Sequence, residues 1–565
     1  IADAKQELAD LKKPELYVLT RDTNAGYVSF ESDSTIVEKL SGLFPIFFFL
    51  IAALVCSTTM TRMIDDERTQ IGTLRALGYS RGSILAKYLL YSGSAAALGC
   101  VIGYFAGGYV FPFVIWTAYG MLYSIPGFVI LYDPMLFVIA LAASLLCSAG
   151  TTYLALRIEM QNMPANLIRP KTPAAGKRIF LERITPLWKR LKFLHKVSLR
   201  NIFRFKKRMI MMILGIAGCT ALVLTGFGIH DSVANIANFQ FDDIQKYDVS
   251  AQFSDTLTED KINEVESDHK SELDAATAVQ MTSGDVTGDS ITKSAYIVAS
   301  DDPAITDIFD LHIDGETVPY PGKGEVLLTE KLAELTDIKT GDTVTVSVSD
   351  TEKAELKVAG LVENYVQNYL YMTGETYAMV ADKGYEPKTL LLRVNDSADE
   401  YALSAALSKT DGVSSVSVVT DTRNMIDQMM QSLNYVVALV LISAGALAFI
   451  VLFKLGNINL TERVREIATI KVLGFHSGET GAYVFRENII LSMMGIVVGL
   501  PLGVLLHTFV LMQIRVDMVS FKAVIAPVSF LLTVVMVVLF TVITDLVMRK
   551  KIAKIDMAES LKSIE

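Results

Sequence analysis

The stretch "GCVIGYFAG" (99–107) sets glycine at every fourth position inside a long apolar run, and "GIVVGLPLG" (495–503) does the same near the other end of the chain. The offset that carries Gly78 onto Gly474 also carries Gly99, Gly103 and Gly107 onto Gly495, Gly499 and Gly503. Without a gap, "IGTLRALGYSRG" (71–82) then falls on "IATIKVLGFHSG" (467–478). Ile71, Thr73, Leu77, Gly78 and Gly82 meet identical residues, and Arg75 meets Lys471. A slightly shorter offset brings Met163 and Leu167 onto Met557 and Leu561. An internal repeat in an apolar chain predicts two structural halves; with both copies in the same orientation, the relating axis runs along the membrane normal. Glycine at every fourth position makes a flat helix face that another backbone can approach closely. Each ladder is therefore expected to pack on a neighbouring helix, across the pseudo-twofold axis.

Composition agrees with a membrane chain. Of 565 residues, 51% are hydrophobic, and the mean hydropathy of +0.40 is too high for an ordinary soluble protein. Seven runs are long and apolar enough to span a bilayer: 43–60, 88–113, 135–156, 209–229, 433–453, 489–511 and 524–547. The stretch 157–208 is crowded with Lys and Arg and holds only Glu159 and Glu182 as acids, which predicts a cytoplasmic position. Alternation then puts residues 62–81, 457–477 and the C-terminal tail inside, and residues 1–42 and 231–430 outside. The four cysteines all lie in apolar runs, so no disulfide is expected in the outer region.

The expected fold class is a multi-span α-helical membrane protein, with seven spans in two pseudo-repeated units and one external α+β domain. Residues 1–42 read as the end of an external stalk, 43–156 as a first unit of three spans and 157–208 as a basic cytoplasmic linker. Residues 209–229 are the first span of a second unit, 230–432 the external domain, 433–548 three further spans and 549–565 a cytoplasmic tail. Within the external domain, "YDVSAQF", "SAYIVAS", "GDTVTVSVS", "AELKVAGLV" and "TLLLRV" read as strands, and 258–266, 327–335 and 400–408 as helices. The run "TDTRNMIDQMMQSLNYVV" is expected to enter the next span as one continuous helix.

Each unit carries a loop between its first two spans, "TRMIDDERTQIGTLRALGYSRGSI" (61–84) and "NLTERVREIATIKVLGFHSGET" (459–480). Ile71, Leu74 and Leu77 recur at helical spacing, as do Ile467, Ile470 and Leu473, with Gly78 and Gly474 where a helix would stop. The acids Asp65, Asp66, Glu67, Glu462 and Glu466 disfavour a passive helix on anionic lipid and favour a protein partner.

At these residues the chain resembles the FtsX-like permeases, the group that includes MacB and the LolC/LolE lipoprotein permeases. "ERTQIGTLRALG" and "TERVREIATIKVLG" are similar to the family's coupling segment, and "NMPANLIRP" (162–170) to the stretch after its fourth span. From residue 209 onward the topology of one span, a large external domain and three spans is that of one complete unit. The first half lacks an initial span and most of an external domain, so the resemblance implies part of a longer two-unit permease. It further implies a non-catalytic permease subunit of a mechanotransmission ABC transporter in a bacterial inner membrane. A separate cytoplasmic ATPase dimer would bind ATP and Mg and push on Glu67, Arg68, Ile71, Leu74, Arg75, Gly78, Glu462, Arg463, Glu466, Ile467, Ile470, Lys471 and Gly474. The work done would be export or extraction of a lipid, lipoprotein, peptide or antibiotic at the outer face. The alternative from the same resemblance is a signalling scaffold that activates an external cell-wall hydrolase or sensor. Membrane lipids and an external adaptor or hydrolase complete the implied partners.

Other chemistry is missing from the sequence. "AAGKR" and "PGKGE" lack P-loop spacing, so no cofactor is expected on this chain and ATP belongs to another. The six histidines form no metal-ligand pair, and no HExxH or Gly-x-Ser-x-Gly occurs. The spans hold few ionisable groups, which disfavours an ion-coupled transporter; Asp545 is expected near a membrane end, in reach of water. The basic stretch 171–208 reads as a juxtamembrane segment and amphipathic surface helix on anionic lipid, not as a nucleic-acid site.

Overall fold

The computed structural model describes residues 25–121, 123–124, 127–168, 193–204, 206–288, 291–349, 352–382, 384–395, 397–461, 463–474, 476–514, 519–553 and 555. Among these residues, seven helices are long and apolar enough to cross a membrane. The first unit holds α1 (Ala25–Asp66), the short α2 (Arg68–Ala76), α3 (Arg81–Tyr119), α4 (Pro134–Glu159) and α5 (Pro164–Ile168). After α6 (Phe193–Arg204), the second unit holds α7 (Lys206–Ala234), α8 (Val419–Thr461), α9 (Val464–Val472), α10 (Ser477–Gln513) and α11 (Pro527–Ala553). Local chemistry starts them where the polar residues stand. The Ser80 hydroxyl accepts from Ser83 N–H at 3.2 Å and caps α3. Asp133 accepts from Met135 N–H at 2.8 Å and caps α4, with Pro134 in the first turn, where its missing N–H costs nothing.

Helix α7 is the centre of the bundle, with 67% of its apolar window buried. One face receives α1 and α8: a Cβ on Gly218 would lie 3.2 Å from Ile51, and one on Gly215 would lie 3.1 Å from Leu455. The opposite face receives the glycine ladder of α10. A Cβ on Gly495 would stand 2.6 Å from Ile216, on Gly499 2.6 Å from Thr220, and on Gly503 2.9 Å from Leu224. Only glycine permits that approach, as the spacing requires. The partner is a helix of the same unit, however, and not one across the pseudo-twofold axis. Gly99, Gly103 and Gly107 correct the expectation more strongly, since a Cβ on any of them would have no packing neighbour within 4 Å among the described residues. The two units meet instead through α1 on α7 and α8 and through α3 on α8, with Arg62 Nη1 donating to the Ile458 carbonyl at 3.2 Å.

The outer domain is built on eleven strands among the described residues: β1 (Val249–Phe253), β2 (Leu273–Thr287), β3 (Thr292–Ala299), β4 (His312–Ile313), β5 (Glu316–Thr317), β6 (Glu325–Thr329), β7 (Thr343–Ser347), β8 (Lys353–Val362), β9 (Tyr369–Met372), β10 (Thr389–Val394) and β11 (Val413–Val418). The order is β11-β1-β10-β2-β3-β9-β6-β8-β7, and β7 also pairs with β2, so the strands from β2 to β7 close on themselves. β2 belongs to both lobes: its first half pairs with β10 and its second half with β3 and β7. The five expected strands are present. The expected helix at 327–335 is divided, residues 325–329 forming strand β6 and Glu330–Thr336 the helix. α8 runs unbroken from the domain through the span, as the sequence reading requires.

Asp545 is largely withdrawn from the surface, where the sequence reading placed it in reach of water. It is buried at 7% exposure and accepts from Asn488 Nδ2 at 2.8 Å, while Asn459 Nδ2 donates to Asn488 Oδ1 at 2.5 Å. His507 packs as a structural residue, its Nε2 lying 3.2 Å from Ser232 Oγ. The expected amphipathic helix at 180–208 is observed as α6 over Phe193–Arg204; residues 169–192 lie outside the described residues.

Candidate coupling site

The two short helices α2 and α9 sit at equivalent places, each between the first two long helices of the apolar three-helix group in its unit. Each ends in a glycine in the left-handed region, Gly78 at φ +93° and Gly474 at φ +92°. A Cβ is disfavoured there, so the glycine turns the chain sharply into the next long helix. The apolar faces point inward as the spacing predicts except at their last positions, Leu77 and Leu473, which are exposed. Ile71 and Ile467 are fully buried, Leu74 packs in the same cluster as Ile71, and Ile470 is half-buried.

The charged residues of α2 also turn inward. Arg75 Nη1 donates to the carbonyls of Met160 at 2.9 Å and Asn162 at 2.6 Å, just past the end of α4. Lys471 Nζ donates to the carbonyl of Ile552 at 2.8 Å and that of Ile555 at 3.3 Å, at the end of α11. The repeat places a cation on the free carbonyls and negative dipole end of the last long helix, twice. Arg68 pairs with Glu159 at 2.8 Å. Glu67 accepts from Tyr88 Oη at 2.6 Å and from Lys87 Nζ at 3.1 Å. Its carboxyl is held below the usual range, chiefly by the Tyr88 hydrogen bond. Arg463 forms a buried ion pair with Glu487 of α10. Gly72 lies so close to α5 that a Cβ would meet Leu167 and Ile168 at 2.9 Å.

These contacts bind each short helix to its own unit and leave a different set of groups free to meet a partner. Leu77 is 72% exposed and Tyr79 is exposed beside it; Leu473 is 71% exposed with Val472 next to it. Glu466 is exposed, and Glu462 lies outside the described residues. Arg75 and Lys471 are thus brace residues in the geometry, while the exposed apolar tips Leu77 and Leu473 were not among the expected site residues. The signal for them was present: Leu77 and Leu473 are identical across the repeat, yet each lies at the end of its helix, where the apolar stripe runs off the core.

At the other end, residues 519–526 tie the last two long helices to the outer domain. Val519 bridges Val366, and Ser520 N–H donates to the Tyr365 carbonyl at 2.9 Å. Lys522 Nζ meets Glu363 Oε2 at 2.7 Å, Asp314 N–H donates to Glu363 Oε1 at 2.8 Å, and Tyr365 Oη donates to the same carboxylate. Burial pushes the Glu363 carboxyl up, but these hydrogen bonds outweigh it and hold it below the usual range.

Residues 42–160 and 438–557 both match the family described as FtsX-like permease C-terminal, and residues 209–410 match the MacB-like periplasmic core domain. The chain is an FtsX-like permease. Its two matched membrane segments are the two repeat units, and its MacB-like segment is the strand-rich domain. No curated protein matches the chain. Among solved structures, the extracellular domain of the noncanonic ABC-type transporter YknZ from Gram-positive bacteria is similar at 14% identity, over 30% of this chain and 98% of that one, with a TM-score of 0.23. The periplasmic region of MacB from Actinobacillus actinomycetemcomitans is similar at 15% identity, over 32% of this chain and 93% of that one, with a TM-score of 0.22. As an FtsX-like permease, the chain is a multi-pass membrane subunit of the ABC type, for which the family implies a cytoplasmic ATPase partner.

Proposed function

We propose that this permease transmits the stroke of a separate ABC ATPase to its outer domain and so exports or extracts an amphipathic cargo at the outer membrane face. The observation that carries this reading is the doubled brace. In both units a short helix presents an apolar tip and is bolted by a cation, Arg75 or Lys471, to the end of the last long helix. A push on the tip then moves the unit as a body, and residues 519–526 pass the movement to the strand-rich domain. The same end of the bundle carries Arg62, Arg68, Arg81, Lys87, Arg157, Lys550 and Lys551, which supports placing it in the cytoplasm and the strand-rich domain outside. The ATPase supplies nucleotide chemistry; this chain supplies surface and stiffness.

The test is co-purification of the ABC ATPase with the full chain from membranes. Leu77→Asp combined with Leu473→Asp is expected to lower ATPase recovery at least about tenfold, the effect of losing about 1.4 kcal/mol of binding. The thermal midpoint of the permease should stay unchanged, because neither side chain is buried. Full ATPase recovery with the double variant, or no ATPase with the native chain, would overturn the reading.

A further inference from the structure

A cavity of about 720 Å³ lies where α1, the outer end of α8 and the floor of the strand-rich domain converge. Both membrane units and the outer domain contribute to its wall. The volume falls in the range of small-molecule sites, about 300–1,000 Å³. Much of the wall is carbon and sulfur. Met281 comes from β2, and Met425, Met429 and Met430 from α8; methionine is flexible and polarisable and adapts to irregular apolar bodies. Tyr296 and Tyr369 stand stacked with centroids 5.6 Å apart.

The polar groups in the wall are largely spent within the protein. Gln240 Oε1 accepts from the N–H groups of Tyr365 and Val366 at 2.9 Å, and its Nε2 donates to Asn364 at 2.9 Å. Gln245 Nε2 donates to Tyr369 Oη at 3.3 Å. Among the described lining residues Asp33 carries the one charged side chain. It is 3% exposed and accepts from Tyr123 Oη at 2.8 Å. Burying a carboxylate against carbon is unfavourable unless a cation or several donors compensate. A ligand cation would supply that compensation, and tyrosine faces would add attraction at distances of about 6 Å. An anion of the same shape would meet repulsion from Asp33, and a neutral molecule would gain nothing from it.

We infer that this cavity is a binding site for an amphipathic organic cation, seated with its charge at Asp33 and its apolar body among the methionines and tyrosines. The inference deepens the export reading and rests on it, by giving the cargo a charge sign. Because the wall joins the first unit to the second unit and its outer domain, a movement of the first unit against the other two would change the shape of the site.

The experiment is equilibrium binding of tetraphenylphosphonium to the full chain in lipid nanodiscs, with empty nanodiscs as the blank and tetraphenylborate as the anion of matching shape. Saturable binding of the cation and none of the anion is expected. Asp33→Asn should weaken cation binding at least about tenfold, whereas Asp33→Glu keeps it within about threefold. Met429→Trp, which fills the cavity and leaves the carboxylate in place, should abolish it. Equal binding of both ions, or unchanged cation binding in Asp33→Asn and Met429→Trp, would overturn the inference. Normal ATPase recovery together with absent cation binding would remove this site and leave the permease reading intact; loss of ATPase recovery from the native chain would remove that reading instead.

Discussion

On α10, Gly495, Gly499 and Gly503 seat Ile216, Thr220 and Leu224 of α7; on α3, a Cβ on the equivalent Gly99, Gly103 or Gly107 would face open space among the described residues. The units differ in their polar interiors as well. The second has the buried Arg463–Glu487 pair and the Asn459–Asn488–Asp545 chain. At the matching height the first has hydroxyls, with Ser148 Oγ donating to the Ser92 carbonyl at 3.0 Å and Thr152 Oγ1 to the Ser148 carbonyl at 2.7 Å. Identical surface grammar therefore coexists with unequal mechanical roles. The second unit is locked together around α7 and tied to the outer domain, while the first is held to it along α1 and α3.

The largest expected effect is on the buried pair. Arg463→Met leaves Glu487 buried without its cation and should cost about 3–5 kcal/mol. The aligned position in the first unit, Glu67, is half-exposed, so Glu67→Gln should cost under about 1 kcal/mol. Chemical denaturation in detergent, or the thermal midpoint, measures both; equal losses would break the contrast. Next come the ladders. Gly499→Val drives a side chain into Thr220 and the Ala217 backbone and should cost about 1–3 kcal/mol. Gly103→Val meets nothing and should stay within about 0.5 kcal/mol. A destabilised Gly103→Val would mean that the first ladder also carries a load.

A smaller effect, visible through pH, sharpens the role of residues 519–526. The Glu363 carboxyl titrates below its unfolded value near about 4.3. Its contribution is therefore fully present above that pH and is lost as pH falls through the lower folded value. Native protein should keep the contact between Lys522 and the domain through the ordinary glutamate range and lose it only as pH falls below that range, read by crosslinking Ser520→Cys to Val366→Cys. Glu363→Gln should remove that dependence.

Much of this was legible because a repeat is its own control. The register of Ile71 with Ile467 and of Arg75 with Lys471 marks the short helices and their buried positions from the sequence alone. The direction of Arg75 was not legible, because its acceptors are backbone carbonyls, which every residue has. The occupant of the α10 ladder was hidden for a related reason: a flat face states what can approach, and α7 lies far away in sequence. β2 escaped notice since "LDAATAVQMTSGDVT" changes sheets midway and its alternation changes with it. The cavity draws on eight separate segments of the chain, none of them unusual alone.

Helix α8 extends 43 residues without a break. At 1.5 Å per residue it is a rod of about 65 Å, roughly twice the hydrocarbon thickness of a bilayer. A tilt of about 5° at one end displaces the other by about 6 Å over that length. The cavity wall carried by residues 419–430 at the outer end of the rod would move by that distance if the rod pivoted about its inner end.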